Sequence, residues 1–157
     1  MPGVYEGTCP QCGRKNWATD WALAYYTDDD RVEFLAHPNE SDEITRFGTT
    51  LDAAQFDGRL VWSDTIVCNA CGVIGSRNKL HSPGPRGLRK WFTSRERLRI
   101  QLEAMERRQT HLLPTHRCTR CGSDDLVDLG DYVQGGGKIA CADCGARELK
   151  LEICGLS

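Results

Sequence analysis

The chain has 157 residues, a formal net charge of −2, 39% hydrophobic and 8% aromatic residues, and nine cysteines. That length allows one medium domain or two small ones with thin cores, which need staples. No run approaches the ~20 apolar residues of a membrane span. Met1–Glu6 lacks the apolar run of a secretory signal, and the odd cysteine count suits a reducing compartment, so cytoplasm is expected (of the host cell, if the chain is phage-encoded).

After a short lead-in over residues 1–8, Cys9-Pro10-Gln11-Cys12-Gly13 forms the first Cys-x-x-Cys-Gly string. Trp21 to Tyr25 alternates, Thr27-Asp28-Asp29-Asp30 reads as a turn, and Arg31–Ala36 alternates again, so residues 21–36 are expected to form a β-hairpin. A polar loop follows at residues 37–42. Residues 43–56 stay open between a helical turn and irregular chain. Asp57-Gly58 signals a turn, and Arg59–Val67 reads as a strand entering the second string, Cys68-Asn69-Ala70-Cys71-Gly72.

Ser76–Lys90 reads as a linker, because Ser82-Pro83-Gly84-Pro85-Arg86-Gly87 suits neither a helix interior nor a central strand. A helix is expected next, with Thr93 as N-cap three residues before Glu96, an apolar stripe of Leu98, Leu102 and Met105, and Pro114 as its end. The third string is Cys118-Thr119-Arg120-Cys121-Gly122. Asp125–Val133 reads as an irregular strand, Gln134–Gly137 as a turn, Cys141-Ala142-Asp143-Cys144-Gly145 as the fourth string, and Glu148–Ile153 as a period-2 strand.

Two residues between cysteines let both thiolates of a tight turn face one ion. The glycine after them takes the positive φ that closes the turn. Four such turns make two four-cysteine sites from Cys9, Cys12, Cys68, Cys71, Cys118, Cys121, Cys141 and Cys144, holding two structural Zn²⁺ ions. Redox dithiols or disulfides are the rival. Iron also fits four cysteines, although glycine knuckles favour zinc. In-order pairing closes loops of 55 and 19 residues. Loop entropy costs only ~0.6 kcal/mol per doubling and does not decide the pairing, but the strands between the strings favour in-order pairing. The expected fold is a zinc-stabilised, mostly β, α+β protein: a ribbon module with an insertion at 1–75, a basic linker and helix at 76–114, and a second ribbon at 115–157. Cys154 is expected as a small buried hydrophobe, and His37, His81, His111 and His116 as surface residues, His116 lying near a site.

Leu113-Pro114, Cys118–Asp125, Tyr132 and Cys141–Ala146 resemble the small zinc ribbons of prophage restriction-alleviation (Lar-type) proteins, and Cys9–Gly13 looks like a diverged copy. The resemblance covers about a quarter of the chain and implies a phage or mobile-element origin. The first module also resembles the layout of polymerase transcript-cleavage factors, which hold Mg²⁺ on acidic hairpin tips. A solvated acidic turn is the preferred reading of Asp28, Asp29 and Asp30, because carboxylates alone define no two-metal site.

Charge is strongly segregated. Residues 1–75 carry 5 Lys/Arg against 12 Asp/Glu, residues 76–120 carry 12 against 3, and residues 121–157 carry 3 against 7. Arg86, Arg89, Lys90, Arg95, Arg97, Arg99, Arg107 and Arg108 are the candidate phosphate contacts, with Trp91 and Phe92 available to stack on bases. The alternative is a solvated helix face with those two aromatics in the core. Gly135-Gly136-Gly137 lacks a following Lys-Ser/Thr, and no nucleophile and base stand out, so no enzyme and no small-molecule substrate are expected. The sequence points to a non-catalytic factor that engages nucleic acid or a nucleic-acid machine and has no membrane partner. The alternative is a protein-interaction module whose acidic parts inhibit a host nucleic-acid enzyme.

Overall fold

The computed structural model describes residues 2–37, 39–92, 94–112 and 116–156. In chain order the elements are β1 (Gly3–Thr8), β2 (Lys15–Thr19), β3 (Trp21–Tyr26), β4 (Val32–Phe34), α1 (Glu40–Glu43), a 3-10 turn (Ile44–Phe47), α2 (Leu51–Phe56), β5 (Leu60–Cys68), β6 (Ile74–Leu80), α3 (Gly84–Trp91), α4 (Arg95–Leu112), β7 (Leu126–Asp128), α5 (Leu129–Gln134) and β8 (Glu152–Leu156). The fold is α+β. The chain divides into two compact units, residues 1–22, 64–77 and 114–157, and residues 23–63 and 78–113. This interleaved division differs from the three consecutive modules expected. All four Cys-x-x-Cys-Gly strings fall in the first unit.

That unit is built on a three-stranded antiparallel sheet in the order β2-β1-β8. Its central strand, β1, is the segment expected to be a mere lead-in. Val4 and Tyr5 give it little apolar signal, and its flanking glycines depress β propensity, so its strand character comes from pairing on both sides. The expected strand over Glu148–Ile153 is displaced. Leu149 makes an isolated bridge to Ile139, and regular pairing with β1 starts at Glu152. The register shifts between Val4 and Tyr5, and Cys154 is the unpaired residue opposite the shift. The expected irregular strand over Asp125–Val133 is a three-residue β7 followed by α5. The core holds Tyr5, Val67, Leu129, Tyr132, Ile139, Leu149 and Leu151 together with Cys9 and Cys141. Leu129 and Leu149 are fully buried, which stabilises by about 1.5–3 kcal/mol per side chain.

In the second unit the expected hairpin forms: β3 and β4 pair with Ala24 opposite Phe34 and Tyr26 opposite Val32. The Thr27 N–H closes the turn on the Arg31 carbonyl at 2.9 Å, and Asp30 takes φ 59°. The expected polar loop at residues 37–42 gives way to α1 from Glu40, and the open segment resolves into the 3-10 turn and α2. Thr50 caps α2, its Oγ1 accepting from the Ala53 N–H at 3.2 Å. β5 forms where expected, running one residue further, into Cys68.

The linker reading of Ser76–Lys90 is corrected. β6 continues to Leu80, and α3 starts at Gly84 with Pro85 in its first turn, where no intrahelical N–H donor is needed. The expected Thr93 cap and Pro114 terminator lie outside the described residues. Ser94 caps α4, its Oγ accepting from the Arg97 N–H at 3.4 Å. The expected α4 stripe is rotated. Met105 and Leu112 are buried, whereas Leu98 and Leu102 are only half-buried. Polar groups complete the inner face. Gln101 donates to the Phe56 carbonyl at 2.8 Å, and Arg108 donates to the Asp57 carbonyl at 2.7 Å.

Candidate metal centres and basic surface

Each string folds into the same knuckle. Gly13, Gly72, Gly122 and Gly145 adopt φ of 70°, 73°, 75° and 73°. Each glycine N–H returns to the carbonyl of the first cysteine in its string, at 2.7–2.9 Å. Each first-cysteine N–H in turn reaches the carbonyl two positions after the second cysteine, as Cys68 does to Val73 at 3.0 Å. An L side chain is disfavoured at that φ, which is why glycine recurs there.

The knuckles assemble into two four-thiol groups, Cys9, Cys12, Cys141 and Cys144, and Cys68, Cys71, Cys118 and Cys121. In each group all Sγ atoms lie within 4.8 Å of one another. Cys9 approaches Cys144 at 3.6 Å and Cys12 approaches Cys141 at 3.7 Å. Cys68 approaches Cys121, and Cys71 approaches Cys118, at 3.5 Å. A metal bonded to four sulfurs at ~2.3 Å has tetrahedral edges of roughly 3.8 Å, so each group has the dimensions of a tetrathiolate site. All nine cysteines are free thiols.

This arrangement overturns in-order pairing. The first string joins the fourth, and the second joins the third. The cause is the strand pairing beside the knuckles. β1 enters the first knuckle and pairs with β8, which follows the fourth. β5 enters the second knuckle and pairs with β7, which follows the third, with Cys68 opposite Leu126. Asn69 fastens this second pair, its N–H on the Asp125 carbonyl at 3.0 Å and its amide on the Asp125 carboxylate at 2.9 Å. Cys118–Cys121 and Cys141–Cys144 therefore stand in different groups, and the C-terminal segment is no self-contained four-cysteine ribbon.

Electrostatics separate the thiols within each group. The N–H groups of Cys121 and Arg120 face Cys118 and draw it down to about 6. The Cys144 N–H, helped by that of Asp143, does the same for Cys141, also to about 6. At Cys71 and Cys12 the N–H groups of Val73 and Arg14 act downward, but lost hydration and neighbouring thiols push both up to about 12. Each group thus favours partial ionisation before any cation arrives.

Two polar residues that sequence reasoning missed support these groups. Asn16 donates its amide to Cys141 Sγ at 3.7 Å and accepts the Ala142 N–H at 3.4 Å. Arg147 spans between knuckles, donating to the carbonyls of Asn69 at 2.6 Å and Ala70 at 2.8 Å. No motif marks either residue, since their roles depend on tertiary placement. The ninth cysteine corrects another expectation. Cys154 is exposed rather than buried, and its thiol points to the Val4 carbonyl at 3.3 Å.

None of the four histidines enters either cysteine group. His37 contacts Glu40, His81 packs near the Trp62 ring, His111 shares a hydrogen bond with Tyr26, and His116 is exposed beside Cys118. The acidic turn is internally engaged. Asp28 pairs with Arg59 at 2.6 Å, Asp29 with Arg31 at 2.6 Å, and Asp30 accepts from the Tyr26 hydroxyl at 2.7 Å.

The candidate basic residues divide by surroundings. On α3, Arg86, Arg89 and Lys90 share one exposed face at i, i+3 and i+4 spacing, opposite the fully buried Leu88. Trp91 is 65% exposed and packs on Phe56 with ring centroids 4.2 Å apart. On α4, Arg95, Arg97, Arg99 and Arg107 are exposed, and Arg99 pairs with Glu103 at 2.7 Å. Arg108 departs from the expected set, since it turns inward to the Asp57 and Gly58 carbonyls. Burial and the nearby Arg59 lower its pKa.

No protein-family model matches the sequence, and no curated protein or solved structure matches it. Among the described residues, no helix is long and apolar enough to cross a membrane.

Proposed function

We propose that the protein is a zinc-stapled, non-catalytic factor that binds nucleic acid through the exposed face of α3. The observation that carries this reading is the Arg86, Arg89 and Lys90 cluster, none of which makes an ion pair among the described residues, next to the exposed Trp91. Three cations on one helical face complement the negative charge of a phosphate backbone, and an exposed indole offers a stacking surface. Tetrathiolate sites leave no open coordination position, so the two ions act as structural staples rather than Lewis acids. Zinc is the expected ion because glycine knuckles with four thiolates match its tetrahedral preference. The phage or mobile-element origin implied by the ribbon-like strings belongs to the same proposal.

The test is fluorescence anisotropy with labelled single- and double-stranded DNA and RNA across a salt series. Three phosphate contacts give a log–log slope of about −2 to −3. Replacing Arg86, Arg89 and Lys90 with Glu removes binding while leaving the metal content unchanged. Metal-loaded protein that binds no nucleic acid at low salt contradicts the proposal and shifts the target to a protein.

A further inference from the structure

A groove along α4 is lined by the apolar Phe92, Leu98 and Leu102 together with Arg89, Arg95, Arg99, Glu103 and Glu106. Its floor is apolar. Phe92, Leu98 and Leu102 are only half-buried there, although helical spacing aligns Leu98 and Leu102 beside the inner face. Charge changes sign along this strip: Arg95 and Arg99 lie in the first turns of α4, Glu103 and Glu106 around its middle.

We infer that this strip is a self-association surface, on which α4 of one copy packs antiparallel against α4 of a second. The charge order selects that occupant. Arg95 and Glu106 lie equally far on either side of the midpoint between Ile100 and Gln101. A two-fold axis through that midpoint places Arg95 of each copy opposite Glu106 of the other. It also places Arg99 beside the Leu102 to Glu103 stretch. Parallel packing instead sets Arg95 against Arg95 and Glu106 against Glu106, which costs energy. An acidic peptide or a nucleic acid satisfies the arginine end but is repelled at Glu103 and Glu106, whereas a second copy, being self-complementary, satisfies both ends. Arg95 and Glu106 make no ion pair within the chain among the described residues, and the exposed Arg99–Glu103 pair contributes little where it stands. The surface is small, so a reversible dimer in the micromolar range is expected. Arg89 borders both this groove and the basic face of α3, so self-association is measured without nucleic acid and nucleic-acid binding is read separately.

Sedimentation velocity of the metal-loaded protein without nucleic acid, from about 1 µM to about 200 µM, tests this. The wild type shifts from monomer to dimer with concentration. Arg95→Glu and Glu106→Arg each weaken dimerisation by about tenfold or more, because each creates two like-charge contacts per dimer. An equimolar mixture of the two variants dimerises again, since a heterodimer of the two sets opposite charges against each other at both ends of the strip. Circular dichroism and metal content confirm that both variants fold. A wild type monomeric throughout the range overturns the inference. So does a dimer indifferent to both substitutions, a mixture that fails to recover, or association that appears only when nucleic acid is added.

Discussion

The guanidinium of Arg147 donates to the main-chain carbonyl of Ala70 at 2.8 Å, linking two knuckles that belong to different cysteine groups. The same side chain reaches the Asn69 carbonyl at 2.6 Å and the Tyr132 hydroxyl at 3.1 Å. A second tie lies alongside, where the Ala140 N–H meets the Gly72 carbonyl at 2.8 Å. The two candidate metal centres are thus mechanically coupled through backbone carbonyls of the second knuckle.

Arg147→Ala removes several donors at once and leaves knuckle carbonyls short of partners. The guanidinium is exposed, so the expected loss is modest, about 1–2 kcal/mol in urea unfolding of the metal-loaded protein. Arg147→Lys fails to restore it, because a single ammonium cannot reach carbonyls in a fork geometry. Full rescue by Lys contradicts the role assigned to the fork.

Asn16 supports only one group. Its amide contacts Cys141 Sγ, and its oxygen accepts the Ala142 N–H. Asn16→Ala is therefore expected to weaken metal retention at the Cys9, Cys12, Cys141 and Cys144 group by about 10–100-fold. The other group keeps its affinity. A chelator competition that resolves two release steps reads this directly. Equal weakening of both steps, or of neither, argues against it.

Gly7 sits in β1 where an added Cβ would meet the main-chain carbonyl oxygen of Lys150 far inside contact distance, with Leu149 close behind. Gly7→Ala forces β1 away from the chain that leads into β8. The expected cost is about 1–3 kcal/mol, seen as a lower urea midpoint with an unchanged slope. An unchanged midpoint shows that the two segments do not approach so closely.

The knuckles were fully legible from sequence, because their geometry is local. Cys-x-x-Cys-Gly fixes the turn, and the glycine takes the positive φ that the spacing requires. The hairpin around Asp28–Asp30 was legible for a similar reason, with alternation on both sides of an acidic turn. The pairing of knuckles was not legible. It is set by β1 meeting β8 and β5 meeting β7, and β1 carries too few apolar residues to show as a strand. Helix α3 was hidden by Pro83-Gly84-Pro85, which marks a break in a helix interior but is tolerated in a first turn. Hydrophobic periodicity places the α4 stripe on Leu98, Leu102 and Met105 because it cannot register that Arg108 and Gln101 turn polar groups inward to main-chain carbonyls. The basic residues were all visible in composition, yet only placement separates Arg86, Arg89 and Lys90 on one face from the inward Arg108.

Metal stoichiometry of two paired cysteine variants tests the nested pairing most directly. Cys9→Ser with Cys141→Ser strikes one group twice, whereas Cys9→Ser with Cys68→Ser strikes both groups once. Nested pairing predicts one tightly held ion per chain in the first double variant and none in the second, by elemental analysis of chelator-washed protein. In-order pairing gives the reverse, with no ion left in the first and one in the second, and that result would contradict the nested arrangement.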